Sequence, residues 1–161
     1  MPWATPNTYV DGQIMRASHF NQDLRDNFNY LNAERPVGAV FKPIGTAAIT
    51  TTSTSVVLIP GVQVTLNITS GRVLVLVLGN FSQNAATAVN LYLYKDGAAY
   101  MALMSTNNTI GDARANAMFP ALIYGLSVGN HTFDLRWFVG AATTGTITMD
   151  NCPLALTVME I

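Results

Sequence analysis

The sequence predicts a mainly β fold, a jelly-roll-like β-sandwich of about ten strands that follows an extended N-terminal arm and one short α-helix. Seven of the 17 charged residues lie in the first 35 positions, so the following 126 residues are almost uncharged. In that second part, short apolar runs alternate with Gly, Pro and Asn turn signals. These two observations divide the chain into an anchoring segment, residues 1–35, and a β-sandwich domain, residues 36–161.

The first 13 residues form the predicted arm. Pro2, Pro6 and Gly12 favour an extended chain, and the aromatic residues Trp3 and Tyr9 lie among them. Terminal segments are usually frayed unless something ties them down. We therefore expect the arm to dock on another surface through its aromatic side chains.

A helix is predicted to begin after Ser18, which is a plausible N-cap, and to end before Pro36. Its apolar residues recur at intervals of four, four and three and form one stripe, which consists of Phe20, Leu24, Phe28 and Leu31. A helix of this length with one narrow stripe is marginal alone. We expect the stripe to pack on the same domain, on sister helices or on another protein.

The β-domain contains ten strand candidates separated by turn signals. They are Val37–Phe41, Ala48–Ile59, Val62–Ile68, Arg72–Phe81, Val89–Tyr94, Ala98–Met104, Asn116–Tyr124, His131–Val139, Thr146–Met149 and Leu154–Ile161. Lys95-Asp96-Gly97 is the clearest hairpin signal, and Pro60-Gly61 indicates another turn. The alternating run 73–78 of Val and Leu predicts a central strand buried on both faces. A β-barrel is the alternative architecture.

Composition narrows the classes of function. Charged residues make up 11% of the chain, against roughly 25% in a typical soluble domain. A net charge of −1 gives no support for nucleic-acid binding or for attraction to acidic membranes. So little charge predicts that copies of the chain, or neighbouring proteins, cover much of its surface. The single cysteine, Cys152, excludes an intrachain disulfide and a cysteine zinc site.

Titratable groups are too sparse to predict a catalytic, metal or cofactor site. Strand alternation places His131 on the same face as Phe133, Leu135 and Trp137, which favours a packed or turn-bonded histidine over a catalytic base. Asp134 and Arg136 then share the opposite face, where they predict an ordinary surface or interface ion pair. We therefore expect a protein that is not an enzyme.

Three tyrosines, Tyr92, Tyr94 and Tyr100, are candidates for a glycan-stacking surface. Aromatic rings of this kind also serve as core or interface side chains, because they bury a large area and keep one polar tip. The sequence favours this second interpretation.

Two segments carry a resemblance to a known group of proteins. Trp3-Ala4-Thr5-Pro6, followed by a Gly turn at Gly12 and the triplet Arg25-Asp26-Asn27, resembles the N-termini of tailed-bacteriophage virion proteins. The closing segments, residues 125–137 and 154–161, resemble the last strands of phage jelly-roll domains. Those domains are similar in plan to trimeric tumour-necrosis-factor-like and C1q-like modules.

The resemblance implies a virion structural protein, assembled in the bacterial cytoplasm. Within that class we expect a homotrimeric capsid decoration protein whose N-terminal segment contacts the shell through Trp3, Tyr9, Arg16, Arg25 and Asp26. The alternative is a minor tail or fibre protein that binds host surface glycans through loops of the β-domain. A small virion hydrolase is a third reading. The expected partners are copies of the chain and capsid or tail proteins, with host carbohydrate in the alternative.

Overall fold

A computed structural model describes residues 37–83, 88–107, 114–141, 143–150 and 152–161. Residues Val37–Ile161 form one compact unit, and Met1–Pro36 form a second one. This second unit contains the predicted arm and helix, and it lies outside the described residues. The strands in the described ranges are β1 Val37–Lys42, β2 Ile49–Thr51, β3 Val57–Ile68, β4 Arg72–Gln83, β5 Ala88–Lys95, β6 Ala98–Asn107, β7 Arg114–Tyr124, β8 Gly129–Val139, β9 Gly145–Ile147 and β10 Leu154–Glu160.

The strands form two antiparallel sheets. In sheet A, β4 lies between β7 and β10, β1 pairs with β10, and the short strands β9 and β2 extend the sheet beside the far half of β4. Sheet B has the order β3-β8-β5-β6. The strand pairing is nested: β5 pairs with β6, and moving outward along the chain β4 pairs with β7, β3 with β8 and β2 with β9. The chain therefore has the topology of one long hairpin folded over into two sheets. This is a jelly roll, so the predicted β-sandwich is confirmed and the barrel alternative is wrong.

Alternate residues of both sheets build the core between them. Val73, Val75 and Val77 of β4 point inward, and so do Phe133 and Trp137 of β8, each with an exposure of 1% or less. A period of two is the signature of a strand with one face in the core. The predicted alternation of β8 is therefore confirmed.

The β5-β6 turn has the predicted hairpin geometry. Its two central residues, Asp96 and Gly97, have φ angles of 52° and 80°. Positive φ at both positions is the requirement of a type I′ turn, which matches the twist of the strands on either side. Asp and Gly tolerate this conformation better than most residues do, which is why the tripeptide was informative.

Most strand ends differ from the prediction by a few residues, and the largest differences lie between residues 48 and 63. The predicted strand 48–59 is interrupted after Thr51, and β3 continues from Val57 through Pro60-Gly61, which was expected to be a turn. The register with β8 shifts between Leu58 and Gln63, so Pro60-Gly61 lies in a bulge. Proline is accepted in a bulge because a bulged residue does not have to donate a backbone hydrogen bond to the neighbouring strand. The φ of 66° at Gly61 suits glycine. Turn residues alone do not distinguish a bulge from a turn.

One end of the sandwich, here called the turn end, carries the short connections. The strand registers place there the β3-β4 turn 69–71, the β5-β6 turn 96–97 and the β7-β8 connection 125–128. Val37 and Ile161 lie at the same end, because Val37 pairs with Met159 and Val73 pairs with Glu160.

Candidate functional site

The outer face of sheet A is an apolar surface. Its three rows, read from β1 across β10 and β4 to β7, are Val37, Met159, Leu74, Leu122; Ala39, Thr157, Leu76, Pro120; and Phe41, Ala155, Leu78, Met118. Thr157 is the one polar side chain among these twelve positions. Met118 is 74% exposed and Phe41 is 61% exposed. We call this surface the apolar face.

The apolar face corrects the prediction that the run 73–78 is buried on both sides. Its odd residues are in the core, but Leu76 is 38% exposed, and Leu74 and Leu78 are only half-buried. Strands that are apolar on both faces normally have both faces covered. Among the described residues, the core of the sandwich covers one face of β4, while the other face stays partly exposed.

A shallow cavity lies within the apolar face. It encloses about 220 Å³ and is lined by Leu76, Val77, Leu78, Met118, Ala155 and Thr157. Ala155 and Thr157 are short side chains beside longer Leu and Met side chains, and this difference in length creates the depression. The lining is almost wholly apolar, so the cavity suits an apolar side chain of a partner better than a polar ligand.

At the turn end, His131 connects two turns. The Nδ1 atom of this buried histidine lies 2.8 Å from Oδ2 of Asp96, and Nε2 lies 2.9 Å from the backbone oxygen of Ser127. The other carboxylate oxygen of Asp96 accepts a hydrogen bond from the backbone N–H of Thr132 at 2.9 Å. We call this arrangement the His131 bridge. It confirms the prediction of a turn-bonded histidine.

The bridge changes the acidity of both partners. The hydrogen bond to Asp96 and the bond to the Ser127 carbonyl raise the pKa of His131 above its ordinary value of 6.5, although burial and nearby Lys95 act in the opposite direction. Burial alone would raise the pKa of Asp96, but the hydrogen bonds from His131 and Thr132 outweigh it, so this pKa lies below its ordinary 3.8.

Sequence reasoning missed Ser127, which lies at the centre of Gly125-Leu126-Ser127-Val128-Gly129, a Gly-x-Ser-x-Gly pentapeptide. Its Oγ lies 3.3 Å from Nε2 of His131, so Ser127, His131 and Asp96 stand in the order of a hydrolase triad. In hydrolases the pentapeptide joins a strand to a helix, and the histidine accepts the serine proton.

The geometry at Ser127 favours a structural role over a hydrolytic one. The pentapeptide joins β7 to β8, which are two strands. The Nε2 atom of His131 lies closer to the Ser127 carbonyl oxygen, at 2.9 Å, than to Oγ. A nitrogen that donates its proton to this carbonyl has no lone pair with which to accept a proton from the serine hydroxyl.

Glu160 organises the β3-β4 turn from the end of β10. Its Oε1 accepts hydrogen bonds from the Thr69 N–H at 2.6 Å, from the Thr69 hydroxyl at 3.0 Å and from the Ser70 N–H. Burial raises the pKa of this 2%-exposed carboxyl, but these hydrogen bonds outweigh burial and hold the pKa below 4.5. Within the described residues, Oε2 is buried without a hydrogen-bond partner.

Replacing Glu160 with alanine should lower the free energy of unfolding by about 2–4 kcal/mol, because two backbone donors of the turn lose a charged acceptor. Thr69→Val is the matched control, since it removes only the hydroxyl donor and should cost about 1 kcal/mol. Urea denaturation measures both. The stabilisation by Glu160 is present above pH 4.5 and is lost as the pH falls through its folded pKa. Equal costs for the two variants would contradict this role.

The outer face of sheet B carries a buried ion pair. Arg136 donates from Nε to Oδ1 of Asp134 at 2.7 Å and from Nη2 to Oδ2 at 3.3 Å. The sequence predicted a surface or interface pair, but the Asp134 side chain is only 1% exposed, while that of Arg136 is 29% exposed. The Arg136 guanidinium also lies 4.2 Å from the centre of the Tyr94 ring.

The three candidate glycan-stacking tyrosines lie in different surroundings. One ring face of Tyr94 is occupied by Arg136, and Tyr92 stacks on Phe138 with the ring centroids 5.9 Å apart. Both tyrosines are half-buried on the same face of sheet B, whereas Tyr100 is 44% exposed in a bulged part of β6. The rings of Tyr92 and Tyr94 thus already have aromatic or cationic partners within the domain.

The other residues with a predicted role, in attachment or in packing of the N-terminal helix, lie outside the described residues. They are the attachment residues Trp3, Tyr9, Arg16, Arg25 and Asp26 and the helix stripe Phe20, Leu24, Phe28 and Leu31. In the part of the chain that the structure describes, no three His, Cys, Asp or Glu residues are grouped to hold a metal ion. The same part contains no helix that is long and apolar enough to cross a membrane.

Comparisons with known proteins support the fold. No protein-family model and no curated protein matches the chain. Eiger TNF from S. frugiperda has a TM-score of 0.52 and 13% identity, with 78% of this chain and 93% of that chain covered. The infectious bursal disease virus Gt strain structure has a TM-score of 0.44 and 8% identity, with 79% and 38% covered.

A third solved structure is the CBM36-1 domain of a xylanase from the hindgut metagenome of Trinervitermes trinervoides. Its TM-score is 0.42 and its identity is 12%, with 78% of this chain and 96% of that domain covered. At such identities a likeness concerns the fold and not the activity. The similarity to Eiger therefore concerns the fold alone and agrees with the jelly roll described above.

Proposed function

We propose that this protein is a non-enzymatic structural protein of a bacteriophage virion, a homotrimeric capsid decoration protein attached through residues 1–35. The observation that carries the proposal is the apolar face of sheet A. The N-terminal resemblance to tailed-phage virion proteins supports the assignment to a virion. The jelly-roll fold is compatible with it.

The apolar composition of this face supports self-association. Four strands about 4.8 Å apart and three rows about 6.8 Å apart give a surface on the order of 400 Å², with the side chains included. Contiguous apolar patches of this size on soluble proteins are often functional. Obligate interfaces between copies are more hydrophobic than ordinary surface, and one polar residue in twelve fits that class. Since the resembled modules are trimers, we assign the face to a trimer.

The alternative function, a tail or fibre protein that binds host glycans, has a weaker basis. Glycan stacking needs aromatic ring faces that are open to the ligand, and Tyr92 and Tyr94 each have one face against a neighbouring side chain. Tyr100, at 44% exposure, is the tyrosine that favours this alternative. We therefore place decoration first.

Deleting residues 1–17 should abolish attachment, because the deletion removes Trp3, Tyr9 and Arg16, and buried Trp, Tyr and Arg side chains dominate interface energies. The measurement is the copy number per purified particle, determined by quantitative mass spectrometry for the full chain and the deletion variant. A full-chain copy number that scales with the number of capsid subunits, and its loss in a variant that stays a folded trimer, are expected.

Two outcomes would contradict this proposal. Normal incorporation of the deletion variant would place attachment elsewhere in the chain. A copy number set by the tail, far below the number of capsid subunits, would support the tail or fibre alternative. The substitution Tyr100→Ala serves as a control, since it should leave incorporation unchanged in a decoration protein.

A further inference from the structure

We propose that the His131 bridge is a protonation-controlled lock on the turn end. In its protonated form it holds the β7-β8 connection against the β5-β6 turn, and loss of the proton releases residues 127–130. The inference is independent of the proposed function, because it concerns one end of a single chain and holds whether or not the chain forms trimers.

The positions of the two ring nitrogens carry the inference. Each nitrogen of His131 faces an oxygen acceptor, the Asp96 carboxylate at 2.8 Å and the Ser127 carbonyl at 2.9 Å. A neutral imidazole has one N–H and can donate to only one of them, whereas an imidazolium donates to both. After deprotonation, one nitrogen lone pair would therefore face an oxygen. If that nitrogen is Nε2, the bond to the Ser127 carbonyl at 2.9 Å is lost and only the more distant Ser127 hydroxyl, at 3.3 Å, can donate to the ring, so the link to the β7-β8 connection is weakened.

The charges around the ring come from the β5-β6 hairpin. Asp96 stabilises the imidazolium, and Lys95, with Nζ 3.4 Å from Oδ2 of Asp96, partly opposes it. From β3 the ring's register partner is Leu66, which is apolar, and the β7-β8 connection contributes the uncharged Ser127. Glu160, buried at the same end, directs Oε1 to the β3-β4 turn. The hydrogen bonds to Asp96 and to the Ser127 carbonyl therefore favour the protonated form of His131, against burial and the smaller effect of Lys95.

The release is local. The other half of the β7-β8 connection is tied separately, because the Leu126 N–H donates to the Gly71 carbonyl at 3.1 Å. The β5-β6 turn also keeps its own backbone link, from the Asp96 N–H to the Thr132 carbonyl at 2.8 Å. Further along β8, Phe133, Leu135 and Trp137 are held in the core, with exposures of 1% or less. Opening is thus confined to the segment around Ser127, at the end where Val37 and Ile161 lie.

The sign of the pH dependence follows from the directions of the two pKa shifts. Because the pKa of His131 is raised on folding, the bridge makes its full contribution to the stability of the folded state below pH 6.5. This contribution is lost as the pH rises through the folded pKa. Because the pKa of Asp96 is lowered, its contribution is present above pH 3.8 and is lost as the pH falls through its folded value. The bridge is therefore complete between about pH 4 and 6.5.

NMR titration of the full chain tests the proposal, with the His131 signal identified by its loss in His131→Gln and distinguished in this way from His19. The expected titration midpoint of His131 lies above 6.5. Asp96→Asn should lower it, because the charged acceptor at Nδ1 is removed, and asparagine tolerates the positive φ at this position. Lys95→Gln should raise the midpoint. Ser127→Ala should leave it unchanged, because the carbonyl acceptor remains.

Amide hydrogen exchange, corrected for the intrinsic pH effect, provides the structural readout. The amides of Gly129 and Asn130, the first residues of β8 and the register partners of Ile68 and Asn67, should lose roughly tenfold protection between pH 5.5 and pH 9, while those of residues 133–137 keep theirs. The same loss should occur at pH 5.5 in His131→Gln. A midpoint at or below 6.5, or protection of Gly129 and Asn130 that does not change with pH, would overturn the proposal.

Discussion

Charging the apolar face should convert the proposed trimer into folded monomers. We expect the purified protein to have three times the chain mass of 17.3 kDa in light scattering. The double variant Met118→Glu/Leu122→Glu should have one chain mass at the same micromolar concentration. Its two substituted positions are 74% and 45% exposed in the single chain, so carboxylates there remain in water when the chain is alone. In the proposed trimer they would be buried without a partner, at a cost of several kcal/mol per ion.

Val128→Glu is the matched control for this variant. Val128 is 75% exposed, almost as much as Met118, but it lies in the β7-β8 connection and not on the apolar face. This control should keep three chain masses. The free energy of unfolding, measured by urea denaturation, shows whether the double variant is folded. A wild-type mass of one or two chains, or a double variant that remains a trimer, would contradict the assignment of the face.

The parts of the fold that sequence predicted well depend on local chemistry. Lys95-Asp96-Gly97 specified its hairpin because the type I′ turn demands residues that accept positive φ. The alternation in β8 placed Phe133, Leu135 and Trp137 in the core because a strand with one buried face has a period of two. In both cases a few neighbouring residues contain the whole signal.

The wrong predictions concern features that depend on distant parts of the structure. Pro60-Gly61 is a bulge and not a turn, since β8 continues to pair with β3 on both sides of it. The strand 73–78 is apolar on both sides, but only the three-dimensional structure shows that its outer side is partly exposed among the described residues. A linear pattern records that a face is apolar and does not record what covers it.

The sequence pattern could not predict the polar contacts of the turn end either. Asp96 and His131 are separated by 35 positions, and the antiparallel pairing of β5 with β8 is what brings them together. Glu160 reaches Thr69 across 91 positions through the pairing of β10 with β4. The Gly-x-Ser-x-Gly pentapeptide around Ser127 was visible in the sequence, but its two-strand context decides how it should be interpreted.

Removing the charge of Arg136 should be among the most destabilising single changes in the domain. Arg136→Met keeps most of the side-chain volume but leaves the Asp134 carboxylate, 1% exposed, buried without its partner. Breaking a buried pair in this way costs about 3–5 kcal/mol. The contact with the Tyr94 ring is lost as well, at about 0.5–1 kcal/mol. Urea denaturation monitored by Trp fluorescence measures the change in the free energy of unfolding.

The two partners should be unequal, and this asymmetry is the sharper test. Asp134→Asn leaves Arg136 with a side chain that is 29% exposed and can turn toward water, so we expect it to cost less than Arg136→Met. Adding Asp134→Asn to Arg136→Met removes the unpaired charge and should restore part of the lost stability, with a coupling of about 1–3 kcal/mol. If the two single variants cost the same and their effects simply add, the pair contributes no more than an exposed one. That result would mean that water reaches the Asp134 carboxylate and that the domain tolerates this negative charge without Arg136.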